Sequence, residues 1–273
     1  MGVNFPDAAT LHSVLDLATR APSVNDAQPW RWRVGHGVLD LFATPGRYLP
    51  RCDCEQDLVR RAVLLSCGAA LHHCVVALAA TGWHATVARL AHGCDSDHLA
   101  RVEVNAQPAD DLDVALASAI GRRRSDPRRF GSSPVVWGDI AVMGARAARA
   151  GVMLRRIDSE DAALVAPGDD TSVVVALGTG TDDALARLRA GEAASLVLLS
   201  ATVMGLASCP VTEPLEVPRT REAVRADVFG GNGHPQMMVR MGWAACGAEP
   251  LPEPPRRPLA DVTDWLQGLG EFV

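Results

Sequence analysis

Five arginines fall within nine residues at Arg122-Arg-Arg-Ser-Asp-Pro-Arg-Arg-Phe130. Guanidinium forks match phosphate oxygens in bidentate geometry, and Ser125 adds a hydroxyl donor. The segment therefore suits an anionic ligand, and it suits equally a solvated basic turn after a helix. A second candidate is the loop Ala21-Pro-Ser-Val-Asn-Asp-Ala-Gln-Pro-Trp30. Two prolines fix its backbone, Ser23, Asn25, Asp26 and Gln28 offer hydrogen-bonding groups, and Trp30 can anchor it. Such a loop holds a polar heterocycle or satisfies its own backbone. Arg256-Arg257-Pro258 reads as a phosphate clamp or an exposed pair. Around Thr212 and Glu213, in Cys209-Pro-Val-Thr-Glu-Pro214, turn amides could face a ligand.

Other chemistries are excluded or poorly served. All 26 basic residues are arginine, which removes Schiff-base lysine chemistry and a P-loop lysine. No GxGxxG in a strand–turn–helix setting, no GxSxG and no HExxH is present. His72, His73 and Cys74 are adjacent, so on a helix they cannot face one metal, and Cys52-Asp-Cys54 lacks the second half of a zinc site; no metal is expected. A net charge of −6 argues against general nucleic-acid binding. Seven cysteines without a CxxC point to a reducing cytosol rather than a disulfide framework, and no secretory signal is expected at the N-terminus.

The elements that must position these residues follow from periodicity. Thr10 is a candidate N-cap for a helix ending near Arg20, ahead of Pro22, and residues 21–29 read as a loop. Alternation from Trp30 to Phe42, with Gly35 and Gly37 at the turn, predicts a hairpin. Leu58–Thr81 predicts a long helix stopped by Gly82; its uncharged stretch from Ala62 raises a membrane question, but Ser66, His72 and His73 favour a buried core helix. Strands are expected at 84–90, 99–104, 152–157, 172–177 and 237–241, helices at 110–120 and 182–205, and an amphipathic turn at 259–266. Gly68 through Trp83 repeats as Gly191 through Leu206 without gaps, each copy a small-residue helix ending in glycine and leading into a strand.

Taken together, the motifs resemble the FMN-dependent nitroreductase family. Ala21 to Trp30 is similar to its APSxxNxQPW loop, residues 122–130 to its RRSxRxF phosphate segment, the two Ala-rich helices to its interface-core helix, and Arg256-Arg-Pro-Leu259 to its C-terminal basic motif. The combination is most similar to the actinobacterial Acg-type branch, in which two nitroreductase-like halves are fused. The resemblance implies an α+β fold, an antiparallel sheet wrapped by helices, with residues 1–110 and 111–273 as two halves of an internal pseudo-dimer. The first half has the APS loop and the second the RRS segment, so together they build one FMN site. Arg123, Arg124, Ser125 and Arg128 would take the FMN phosphate, with Arg256 and Arg257 closing on it. Ser23, Asp26 and Gln28 would come from the facing half, and the backbone at Thr212 and Glu213 would approach flavin N5.

The resemblance implies a cytoplasmic oxidoreductase reduced by NAD(P)H or by a small-molecule substrate, monomeric as a pseudo-dimer or homodimeric, without nucleic-acid or membrane partners. A non-catalytic flavin-sequestering protein and a cofactor-free relative acting through protein interaction are the alternatives. Asp26 stands where the family has Asn, Pro127 where it has Arg, and Glu213 where relatives often have Gly. The stretch between Phe130 and Gly191 is shorter than in Acg-type relatives, which carry a lid there.

Overall fold

The structure, a computed structural model, describes residues 5–44, 53–93, 97–157, 165 and 172–266. The chain forms two compact units, Met1–Gly121 with Pro255–Val273, and Arg122–Pro254. This differs from a division into 1–110 and 111–273 in two ways. Helix α3 (Asp111–Arg122) carries the first stretch to Gly121, and the C-terminal segment returns to the first unit because its last strand pairs there.

In the first unit, α1 (Ala8–Thr19) begins at Asp7, whose extended backbone leaves its carboxylate free to accept the Thr10 N–H at 2.8 Å. Asp7, not Thr10, is the cap: the first turn forms ahead of Thr10 and buries Leu11, Val14, Leu15 and Ala18 behind it. Strands β1 (Trp30–Gly35) and β2 (Val38–Ala43) pair antiparallel through a two-residue turn at His36 and Gly37. Both turn residues have positive φ, 54° and 78°, which matches the twist of the flanking strands. Gly35 lies in β1 rather than in the turn, and there it admits Leu266, which a Cβ would meet at 2.6 Å. Residues 21–29 are not wholly irregular, since Val24–Asp26 make a 3-10 turn.

Helix α2 (Asp53–Ala80) contains a stretch, Gln56–Ala80, long and apolar enough to cross a membrane, yet 78% of its most apolar 18-residue window is buried inside the protein. It packs on α1 and on the sheet, as a core helix does. Strands β3 (Trp83–Arg89) and β4 (His98–Ala106) complete the antiparallel part. The amphipathic turn expected at 259–266 resolves into α7 (Leu259–Val262) and β9 (Thr263–Trp265), which pairs parallel with β1. The sheet order is β3-β4-β2-β1-β9.

The second unit contains α4 (Trp137–Arg149), β5 (Val152–Ile157), β6 (Val173–Thr179), α5 (Ala184–Val203), β7 (Ala207–Val211), α6 (Pro218–Phe229) and β8 (His234–Gly242). Its four strands are antiparallel in the order β5-β6-β8-β7. Among the described residues the α+β chain thus has two sheets, not one. Val175, Leu177, Val239 and Met241 pack with α4 and α5, while Val174, Ala176 and Met238 pack with Leu215, Val224 and Phe229. Coverage on both faces explains why β6 and β8 read as continuous apolar runs instead of alternating. Gly178 lets α6 approach, because a Cβ there would lie 2.4 Å from the Phe229 ring. Gly178→Ala is expected to lower stability by about 1–3 kcal/mol through overpacking, measured as a fall in Tm; an unchanged Tm would show that the ring can yield.

Among the described residues the two units share one element order, helix–strand–strand–helix–strand–strand, with α6 inserted before the last strand of the second. Strand orders β3-β4-β2-β1 and β7-β8-β6-β5 correspond one to one. The sequence repeat falls on the equivalent helices α2 and α5, each followed by a glycine of positive φ, Gly82 at 87° and Gly205 at 83°.

Candidate functional site

The arginine-rich segment leaves α3 as extended chain held against the second sheet. Ser125 bridges to Ser208 of β7, the Asp126 N–H donates to the Ser208 carbonyl at 2.9 Å, and Phe130 bridges to Ala244. Its shape is set from beneath by Arg240 of β8, which is buried. The Arg240 guanidinium lies 4.9 Å from the Phe130 ring centroid and donates to the carbonyls of Arg128, Pro127 and Val165. Asp126, also buried, accepts from the Arg128 N–H, Nε and Nη2 at 3.0, 2.9 and 2.8 Å. The Arg128 hydrogen bonds hold this carboxyl below its ordinary range against the opposing effect of burial. Arg128 also donates to the Glu249 carbonyl at 2.8 Å, so it is engaged in fixing the turn.

Alternation along the extended chain then separates the candidates. Arg122, Arg124, Asp126 and Arg128 line a cavity of about 210 Å³ that also meets Thr202 and Gly205 at the end of α5. Arg123 is buried, and its Nη1 donates to the exposed Ser125 hydroxyl at 3.3 Å. Arg124 Nη1 donates to the Arg123 carbonyl at 2.9 Å.

In the first unit, the 21–30 loop and the C-terminal basic pair meet. Asp26 accepts from Arg256 Nη1 at 3.0 Å. Gln28 is buried; its Oε1 accepts the Arg257 N–H at 2.9 Å, and its Nε2 donates to the Pro255 carbonyl at 3.3 Å. Ser23 Oγ accepts the Gln28 N–H at 3.1 Å. Asp26, Gln28, Arg256 and Arg257 are therefore gathered in one place, with the arginines engaged on the loop.

At the end of β7, the Thr212 N–H donates to the exposed carboxylate of Glu213 at 3.1 Å. The backbone there enters a 3-10 turn, Glu213–Glu216. Elsewhere, burial pushes His72 down to about 4 and the Cys74 thiol up to about 12, so neither is poised for chemistry at neutral pH. Among the described residues no three His, Cys, Asp or Glu side chains converge as a metal site requires. Cys52-Asp-Cys54 lies outside the residues whose side chains are described. Sequence reasoning missed Arg240 and Asp126. A lone arginine inside the apolar run Met237–Met241 was the available signal, since a buried charge demands partners.

No family model matches the sequence. A Mycobacterium tuberculosis protein provisionally named an NAD(P)H nitroreductase is 46% identical, over 98% of this chain and 95% of that protein. That alignment runs over 331 positions, more than the 273 of this chain, so the relative carries residues that this chain lacks. The M. tuberculosis protein acg, with the same provisional name, is 31% identical over 92% of this chain and 94% of its own length. A solved structure from Anabaena variabilis, provisionally called a nitroreductase, superposes with a TM-score of 0.56 over 89% of this chain and 90% of that one; at 9% identity it bears on the fold alone. Near-complete alignment to two relatives at these identities, on a fold of the same kind, makes this chain a member of the nitroreductase family.

Proposed function

We propose that the chain is an FMN-dependent oxidoreductase that is reduced by NAD(P)H and reduces a small-molecule acceptor. The observation that carries this reading is the Arg123-Arg124-Ser125 segment, held extended by the pairing of Ser125 to Ser208 and followed by Pro127 and Arg128, whose carbonyls Arg240 fixes. A phosphate dianion needs charge-assisted donors at close quarters, and the segment offers guanidiniums and a hydroxyl on consecutive residues. Arg124 faces a cavity with Arg122 and Arg128, and the one carboxylate lining it, Asp126, is engaged by Arg128. Asp26 is likewise paired with Arg256, which offsets the charge it would otherwise bring toward an electron-rich ring. The residues present therefore fit a flavin mononucleotide.

In this reading Arg123, Arg124 and Ser125 of the second unit would hold a flavin phosphate, and the loop from Ser23 to Gln28 of the first unit would face a flavin ring. Thr212 and Glu213 would approach the ring edge. When bound, FMN supplies hydride acceptance and electron delivery, while the protein orients and tunes it. The two units are two copies of one nitroreductase-like half, a reading supported by their corresponding strand orders. Only one complementary motif set exists, so each chain binds at most one FMN.

The test is the visible absorption spectrum of the untreated protein, followed by anaerobic NAD(P)H addition. A flavin band that bleaches supports the oxidoreductase. A band that persists supports a flavin-sequestering protein. Titration calorimetry is expected to give one FMN per chain, and two equivalent sites would overturn the paired-copy reading.

A further inference from the structure

We propose that Arg256 and Arg257 are positioning residues: the C-terminal arm straps the 23–28 loop into its working conformation instead of contacting phosphate. This rests on the reading that the loop faces a flavin. Asn25, Asp26 and Gln28 have φ of 52°, 50° and 49°, three non-glycine residues in the left-handed region within four positions. Such strain persists only where the surroundings over-determine it. Within the loop, the Asp26 and Ala27 N–H groups donate to the Ser23 and Val24 carbonyls at 3.1 and 3.2 Å, which closes the turn.

Ser23 Oγ accepts the Gln28 N–H and Ser66 of α2 accepts the Val24 N–H at 3.0 Å, and the arm adds a hold of its own at Asp26 and Gln28. Arg256 Nη1 reaches Asp26, and its Nη2 reaches the Arg20 carbonyl at 3.3 Å, clasping the loop at both ends. Arg257 donates twice to Gln28, from its N–H to Oε1 and from Nη1 to the carbonyl at 3.3 Å. Its Nη2 donates to the Asp261 carbonyl at 3.1 Å, tying the clasp to α7. The arm is itself anchored. Strand β9 pairs with β1, Arg31 holds Asp264 through two hydrogen bonds, and the Leu266 N–H donates to the Val34 carbonyl at 2.9 Å beside Gly35. The strap is thus fixed to the sheet at one end and grips the loop with the other.

The test compares Arg256→Gln, Arg256→Lys and Gln28→Met, which keeps volume but removes both side-chain bonds to the arm. Amide hydrogen exchange over residues 24–28 of the flavin-free protein is expected to quicken in Arg256→Gln and Gln28→Met, with β4 unchanged. Apparent affinity falls with the fraction of chains holding a competent loop, so FMN and riboflavin should weaken equally, by about tenfold. The visible band of bound FMN should shift in Arg256→Gln and return in Arg256→Lys. Loss of FMN affinity alone, with riboflavin and loop exchange unchanged, would overturn the strap and make Arg256 a phosphate ligand. If the parent protein binds neither flavin, the proposed function fails by itself; unchanged loop exchange in both variants would then overturn the strap independently.

Discussion

Arg124→Ala is expected to weaken FMN binding by about tenfold or more while leaving riboflavin nearly unaffected, because a charge-assisted guanidinium–phosphate hydrogen bond contributes roughly 1.5–3 kcal/mol. Riboflavin lacks the phosphate, so it reports every contact except that one. Arg123→Ala should show the same discrimination with an added loss of Tm, since this side chain is buried and its Nη1 bonds Ser125. Flavin fluorescence titration of both ligands against both variants measures the effect. Equal losses for FMN and riboflavin would show that the segment is not the phosphate clamp. The pattern is the opposite of the one expected for the arm, where the two flavins should weaken together.

Asp40→Ala should destabilise the first unit by about 2–4 kcal/mol, since removing one partner of a buried charge network strands the others. Asp40 is buried between β2 and β4 and accepts from His98 Nε2 at 2.8 Å and from Arg101 Nε and Nη2 at 2.8 and 3.1 Å. His98 is buried as well, whereas Arg101 is half-exposed and can regain water, which keeps the cost at the lower end of such losses. Burial alone would raise the Asp40 pKa, but the hydrogen bonds from Arg101 and His98 outweigh it and the net direction is down. The folded state therefore binds this proton less tightly than the unfolded chain, whose aspartates titrate near about 3.9. The stabilisation is complete above that value and is lost as pH falls through the folded-state pKa. Denaturant unfolding from pH 6 to pH 3 should show a shallower acid loss in Asp40→Asn than in the parent, and equal slopes would show that Asp40 does not report acid stability.

The sequence by itself determined the elements whose signal is local. Trp30, Trp32 and Val34 alternate because one face of β1 is buried, and all three are fully inaccessible. The long apolar helix with its glycine stop, and its repeat, were legible because C-terminal glycines in the left-handed region end helices through backbone geometry alone. Four motifs in order pointed to the family without any coordinates. Helix α4 carries the same kind of local signal, with Ile140, Met143 and Ala147 at helical spacing, although it was not among the expected elements. Helix α6 buries only Val224 and Phe229 and owes its place to packing on β8 and to Gly178 beneath it.

Only the tertiary structure decided what each charged side chain holds. Five arginines in nine residues look interchangeable as a string. Extended pairing to Ser208 sends Arg122, Arg124 and Arg128 to one cavity, while Arg123 is buried and Arg128 is taken up by Asp126. Arg256 and Arg257 read as a clamp for a ligand, yet they grip a loop at residues 26 and 28, brought beside them by the pairing of β9 with β1. Periodicity reports which face of an element is apolar. It carries no record of which strand edge a distant segment will occupy, and a guanidinium satisfies its hydrogen bonds with whichever acceptor that pairing delivers.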